Sequence, residues 1–237
     1  MKKKLIFLCS VLFVFNLHAQ NWLTTGNAGL AGTNFIGTTD AIPFVIKVNN
    51  QQAGLIDFSS TLANTSFGFQ ALKNNTTGNN NAAFGYKAAF LNTTGIFNTA
   101  LGPYALTFNT TGYSNVAVGV GALYRNKIRP NLVAVGDSAL YNNGSGVLSA
   151  NDAYSNTAIG SKSLYTNTKG SNNTAVGARS LYANLSGLNN TAIGNVALFS
   201  NTTGNYNTAF GSNSLVSNQT GSNNTAVGYF SLTNNTA

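Results

Sequence analysis

Asn173-Thr174-Ala175-Val176-Gly177-Ala178-Arg179-Ser180-Leu181-Tyr182-Ala183-Asn184-Leu185-Ser186-Gly187-Leu188-Asn189 is followed at once by near copies starting at Asn190, Asn207 and Asn224, each 17 residues after the last. Counting backwards, copies start at Asn156, Leu132, Asn115, Asn98, Asn81 and Asn64. One step, from Leu132 to Asn156, is 24 residues long and carries seven extra, placed at 149–155. A fixed period over ten copies marks stacked units rather than one globular core.

Within the copy, the fifth position is always Gly, from Gly68 to Gly228. The third is Ala except at Ser66, the fourth is bulky and apolar, and the eighth is Ala or Ser. The ninth is Leu except at Ala89, the twelfth always Asn, and the fifteenth Gly except at Arg129. A helix needs apolar residues three and four apart over several turns. Here short apolar pairs at three-four and eight-nine are separated by Gly, Asn and Thr, which form turns. Each copy therefore reads as one coil: a short strand, a turn, a second short strand or extended piece, and a Gly-closed turn. Coils stacked at the ~4.8 Å inter-strand spacing make an all-β parallel solenoid about 50 Å long. Adjacent strand residues point to opposite faces. With both positions three and four apolar, one face lines the coil and the other requires a partner, which predicts self-association. The Asn at twelve fits either an amide ladder along the stack or a plain turn residue.

Outward from the repeat, the chain begins with a targeting pattern over 1–20: Lys2, Lys3 and Lys4, then an apolar run over 5–15 too short to span a bilayer. Its removal would take away Met1, Cys9 and His18, so the exported chain carries no Cys, His or Met and no disulfide. Without those lysines nine basic and four acidic residues remain, near +5, in a chain that is only 7% charged and 43% hydrophobic. That composition folds rather than staying disordered. Residues 21–63 read as a small β cap, with strands over 35–40, 43–48 and 53–57 and a polar turn at Asn49-Asn50-Gln51-Gln52. The solenoid fills 64–237. It stops at Ala237 within its tenth coil without a cap, so either a fragment or the loss of a C-terminal module is expected.

Chemistry is sparse. The acids are Asp40, Asp57, Asp137 and Asp152, with no Glu; the first two are in the cap and the others lie several coils away. Paired carboxylates, a metal cluster or a base-activated Ser have no basis here, so no enzyme activity, cofactor or metal is expected. Cations are too scattered for a nucleic-acid groove. Position ten carries Tyr124, Tyr141, Tyr165, Tyr182 and Phe199 in five successive coils, a ladder that packs on itself or meets a sugar polymer. With Arg125, Lys127 and Arg129 nearby, the four tyrosines form the candidate surface for a glycan or matrix polymer.

The motif Asn-Thr-Ala-Ile/Val-Gly-x-x-Ala/Ser-Leu over 64–237 resembles the head repeats of trimeric autotransporter adhesins. Asn34-Phe35-Ile36-Gly37-Thr38-Thr39-Asp40 with Pro43-Phe44-Val45-Ile46-Lys47-Val48 looks like the start of exported repeat proteins of the Bacteroidetes group. The resemblance implies a left-handed β-roll, a homotrimer and a place at the cell surface or outside the cell. The repeat is longer than the usual head repeat, and these residues hold no neck, stalk or membrane span. The expected role is the head or shaft of a surface adhesin. A phage-tail-like receptor-binding fibre is the alternative. An ice-binding solenoid ranks third, because the paired Thr at thirteen and fourteen point apart.

Overall fold

The structure, a computed structural model, describes residues 42–57, 59, 61–146, 149 and 152–236. The targeting segment 1–20 and the cap strand expected over 35–40 lie outside them. The described residues form twelve strands and no helix, hence none long and apolar enough to cross a membrane. All twelve belong to one sheet in chain order. β1 (Phe44–Val48) and β2 (Gln51–Ile56) make an antiparallel hairpin, and β2 pairs antiparallel with β3 (Thr65–Phe67). From β3 onward every neighbour is parallel and one coil away: β4 (Ala82–Phe84), β5 (Thr99–Leu101), β6 (Val116–Val118), β7 (Val133–Val135), β8 (Thr157–Ile159), β9 (Thr174–Val176), β10 (Thr191–Ile193), β11 (Thr208–Phe210) and β12 (Thr225–Val227). The ten copies thus give ten strands separated by nine turns of a parallel β-solenoid. Register is strict, with Ala175 opposite Ala192 and Ala192 opposite Ala209.

The cap hairpin is tighter than its polar stretch suggests. Asn49 and Asn50 both take positive φ, 48° and 56°, as a two-residue type I′ turn requires, so Gln51 and Gln52 already belong to β2.

Each coil holds one strand of three residues, not two. The segment after the Gly bends because positions seven and nine are both left-handed, as at Arg179 (φ 54°) and Leu181 (φ 49°). Position seventeen is left-handed too, and there Asn often stands, a residue that tolerates αL well. Leu at nine accepts this conformation because it turns the side chain inward: Leu106, Leu140 and Leu181 are fully buried. Each such burial is worth about 1.5–3 kcal/mol. The Leu181 amide also donates to the Ala197 carbonyl of the next coil at 3.0 Å, so both neighbours hold the bend.

Position three faces inward, with Ala83 through Ala209 at zero exposure, while position four faces out. Position eight alternates Ala and Ser without penalty because the buried Ser hydroxyl donates back to the Gly carbonyl three residues earlier, 2.9 Å at Ser180 to Gly177. Position five needs Gly twice over. Gly85 sits at φ 131°, and a Cβ there would lie 2.6 Å from the Gly102 carbonyl carbon.

The rest of the interior is polar. Position-twelve asparagines form the amide ladder, Asn184 Nδ2 to Asn167 Oδ1 at 2.9 Å and Asn201 Nδ2 to Asn184 Oδ1 at 2.9 Å. Position one forms a second ladder, in which each side-chain oxygen accepts the backbone N–H of the next coil, Asn190 N to Asn173 Oδ1 at 2.9 Å. Both amides of a coil converge on its position-fifteen carbonyl: Asn173 and Asn184 reach Gly187 at 2.9 and 3.1 Å.

Coils four and five interrupt this pattern. Leu132 replaces a ladder Asn and offers no side-chain oxygen. Asn143 donates to Ala153 at 2.8 Å across the extra residues, and buried Asn126 Oδ1 meets no donor. Tyr154 accepts from Asn172 as position sixteen, so the extra residues fall between Asn143 and Ala153.

The zero exposure of Ala175 gives a direct expectation. Ala175→Leu should overpack the coil and lower stability by about 1–3 kcal/mol. Thermal melting of the purified chain checks it, and an unchanged midpoint would place position three on the surface.

Candidate functional site

Position ten follows the buried Leu, so its side chain emerges on the outer surface beside the bend. Stacking at one coil per step brings successive rings together there. Tyr124 and Tyr141 lie 4.8 Å apart between centroids and 15° from parallel. Tyr141–Tyr165 and Tyr165–Tyr182 are both 5.4 Å apart, at 19° and 4°. Tyr182–Phe199 closes the column at 5.1 Å and 10°. The four predicted tyrosines are therefore brought together, half-buried. Their faces, however, cover one another. Along its length the column presents ring edges and phenol oxygens rather than flat faces.

The Tyr124 end differs. Phe108 and Tyr104 meet Tyr124 edge-on, at 5.0 Å and 77° and at 6.2 Å and 74°. A hollow of about 310 Å³ opens here, lined by Tyr104, Val120, Gly121, Tyr124, Ser138 and Tyr141. A second, of about 330 Å³, is lined by Phe108, Tyr124, Arg125, Lys127, Ser145 and Gly146. Tyr124 is the wall common to both. A larger hollow of about 470 Å³ lies where the hairpin meets the first coil, with Lys73 the one charged side chain in its lining.

The three predicted cations separate. Arg125 and Lys127 are exposed, and Arg125 lies close enough to the Tyr141 phenol to favour its ionised form. Arg129 is turned inward, 5% exposed, and its Nη2 donates to the Ser149 carbonyl at 2.8 Å. It ties the extra loop to coil four. The Tyr141 phenol is pushed above its ordinary pKa, by burial first and then by Tyr124 and Tyr165, with Arg125 opposing.

Tyr104, Phe108, Gly121 and Ser138 were not singled out by sequence reasoning. The available signal was Gly121, the one Gly at position seven among ten copies. The acids stand apart: Asp57 is buried and accepts the Ser59 amide at 2.9 Å, and Asp152 accepts the Ser149 amide at 2.9 Å. Among the described residues no three His, Cys, Asp or Glu side chains gather to hold a metal. No family model, curated protein or solved structure matches this chain.

Two expectations come from the column. Tyr165 stacks on both sides, and an aromatic pair is worth about 0.5–1.5 kcal/mol, so Tyr165→Thr should destabilise by about 1–3 kcal/mol in thermal melting. An unchanged melt would mean the stack contributes nothing. The raised Tyr141 pKa means the folded state holds the phenol proton more tightly than the unfolded state does. That stability is present below the ordinary pKa near 10 and is lost as pH rises through the raised value. The melting temperature should fall above about pH 10, and less steeply in Tyr141→Phe. Melting curves across an alkaline series test this, with equal slopes for both proteins as the contrary result.

Proposed function

We propose that this chain is an exported, non-catalytic structural and adhesive protein of the cell surface or extracellular space, assembled from three copies as the head or shaft of a surface adhesin. The observation that carries the reading is the outer face of the sheet. Positions two and four of all ten copies point outward, and neither column contains a single charged residue. Position four runs Phe67, Phe84, Leu101, Val118, Val135, Ile159, Val176, Ile193, Phe210 and Val227. Phe210 is 54% and Ile159 40% exposed in the single chain. A continuous apolar strip of this kind marks a surface made to be covered. Its occupant repeats at the coil spacing, and a second copy of the chain meets that condition at every step. The number three comes from the resemblance of the repeat.

The remaining surface supports adhesion over catalysis. Its polarity comes from Asn, Thr and Ser, and its basic groups are sparse except at Arg125 and Lys127 in coil four.

A second reading draws on the same face. Thr157, Thr174, Thr191, Thr208 and Thr225 stand in register at position two, one per coil, as an ice-binding face needs. This column was not the Thr pair considered from sequence. Phe67, Phe84 and Phe210 roughen the face beside it, which favours the self-associating reading.

Sedimentation equilibrium distinguishes the two. The intact chain should sediment as a trimer at micromolar concentration. Ile193→Lys, at an outward position, should yield a folded monomer with an unperturbed β spectrum. A wild-type chain that stays monomeric overturns the assembly and favours the free Thr face.

A further inference from the structure

We propose that the two hollows flanking Tyr124 form one two-part site for an acidic glycan. A sugar ring sits above Gly121 among Tyr104, Tyr124 and Tyr141, and its carboxylate or sulfate is held by Arg125 and Lys127. This rests on the adhesive reading and names the ligand class for it.

The backbone does not demand Gly at 121. Position seven is left-handed in every copy, and Gln70, Ser138, Lys162 and even Val196 occupy it at φ between 56° and 61°. Gly121, at 63°, has the same conformation without a side chain. What its absence provides is space: a Cβ there would lie 3.3 Å from Tyr141 Cε2, on the wall of the hollow. The volume of about 310 Å³ is at the small end for ligand pockets and fits a single ring.

The rings also line this hollow. Tyr141, Tyr165 and Tyr182 each stack on both sides. Tyr124 has one stacked partner, and Phe108 and Tyr104 reach it edge-on. The first hollow is lined by Tyr104, Tyr124 and Tyr141 together, so aromatic carbon and phenol hydroxyls offer both contacts a sugar uses: C–H groups against the rings and hydroxyls to polar atoms.

Charge orients the ligand. Asp137 lies at the rim of the first hollow, where its carboxylate accepts from Ser138 Oγ at 3.2 Å. That disfavours an anion in this half. The cations lie in the other half, and Arg125 acts on the Tyr141 phenol that lines the first. Asp152 on the neighbouring loop is engaged with the Ser149 amide. The same coil holds the rest of the departures, Ile128, Arg129 and Pro130, beside the extra loop. Two cations in the hollow beside a ring-sized one suit an acidic sugar polymer rather than a nucleic acid, which needs a line of cations.

The test uses the intact chain immobilised and probed by biolayer interferometry with alginate, heparin, dextran and polyglutamate. Wild type should bind alginate or heparin, less tightly as salt rises, and bind dextran and polyglutamate weakly. Gly121→Gln fills the hollow with the residue that Gln70 already places at this position. Arg125→Gln with Lys127→Thr removes the charge and restores the Thr of Thr110. Each should weaken binding roughly tenfold or more with the melt unchanged. Should Gly121→Gln fail to fold, Gly121→Ser, matching Ser138, replaces it. Acidic-glycan binding retained by both variants overturns this site and leaves the adhesive reading standing. Polyglutamate bound as tightly as the glycans shows that charge alone suffices and also overturns it. No binding to any of the four polymers overturns the site, while the adhesive reading is judged separately by the trimer in sedimentation.

Discussion

The carbonyl of Gly187 accepts two buried amides, Asn173 at 2.9 Å and Asn184 at 3.1 Å, and this small polar junction recurs in coil after coil. Each amide also bonds the coil before or after it, so the junction closes the coil and joins it to the stack. Buried amides without partners cost about 1–3 kcal/mol each, so position one, position twelve and position fifteen depend on one another. They depend on Gly as well. A Cβ on Gly187 would lie 2.8 Å from Asn201 Nδ2 and would press on Asn184 Oδ1 and the Gly204 carbonyl. The rest of the interior, Ala175, Ser180 and Leu181, then needs one Leu and otherwise small residues, because the narrow coil leaves little volume to fill.

This closure also sustains an unusual backbone. Three non-Gly residues in a typical coil, and four in the coil with the extra loop, are left-handed, each at a cost of order 1–3 kcal/mol. No isolated coil would adopt that conformation. Stacked coils do, because inter-coil bonds such as Leu181 N to Ala197 O are satisfied only there. Stability is therefore a property of neighbours, as expected for a solenoid.

The pattern relaxes in one place. Leu132 ends the position-one ladder, Asn126 Oδ1 is left without a donor, and Arg129 takes a Gly position beneath the extra loop. Arg129 and the loop are one compensating feature, since its guanidinium donates to Ser149. Gly121, Arg125 and Lys127 gather at the same level, so the least regular coils are also the ones with distinctive surface chemistry.

The 17-residue period, read from residues such as Gly177, Leu181 and Asn184, determined the parallel solenoid, the number of coils and the stacking of Tyr124, Tyr141, Tyr165 and Tyr182. Identical units placed in register must bring identical positions together, so period alone is sufficient. The sequence did not determine which of Ala175 and Val176 faces inward. Both are apolar, and the choice depends on the width of the closed coil, which admits only the smaller. Nor did it reveal the bend at Arg179 and Leu181. Their left-handed backbone contradicts their own preference and is imposed by bonds to the next coil. The hollow above Gly121 was hidden for a related reason. A missing side chain has meaning only against the rings that surround it, and Tyr104, Tyr124 and Tyr141 come from three different coils that only the tertiary structure stacks.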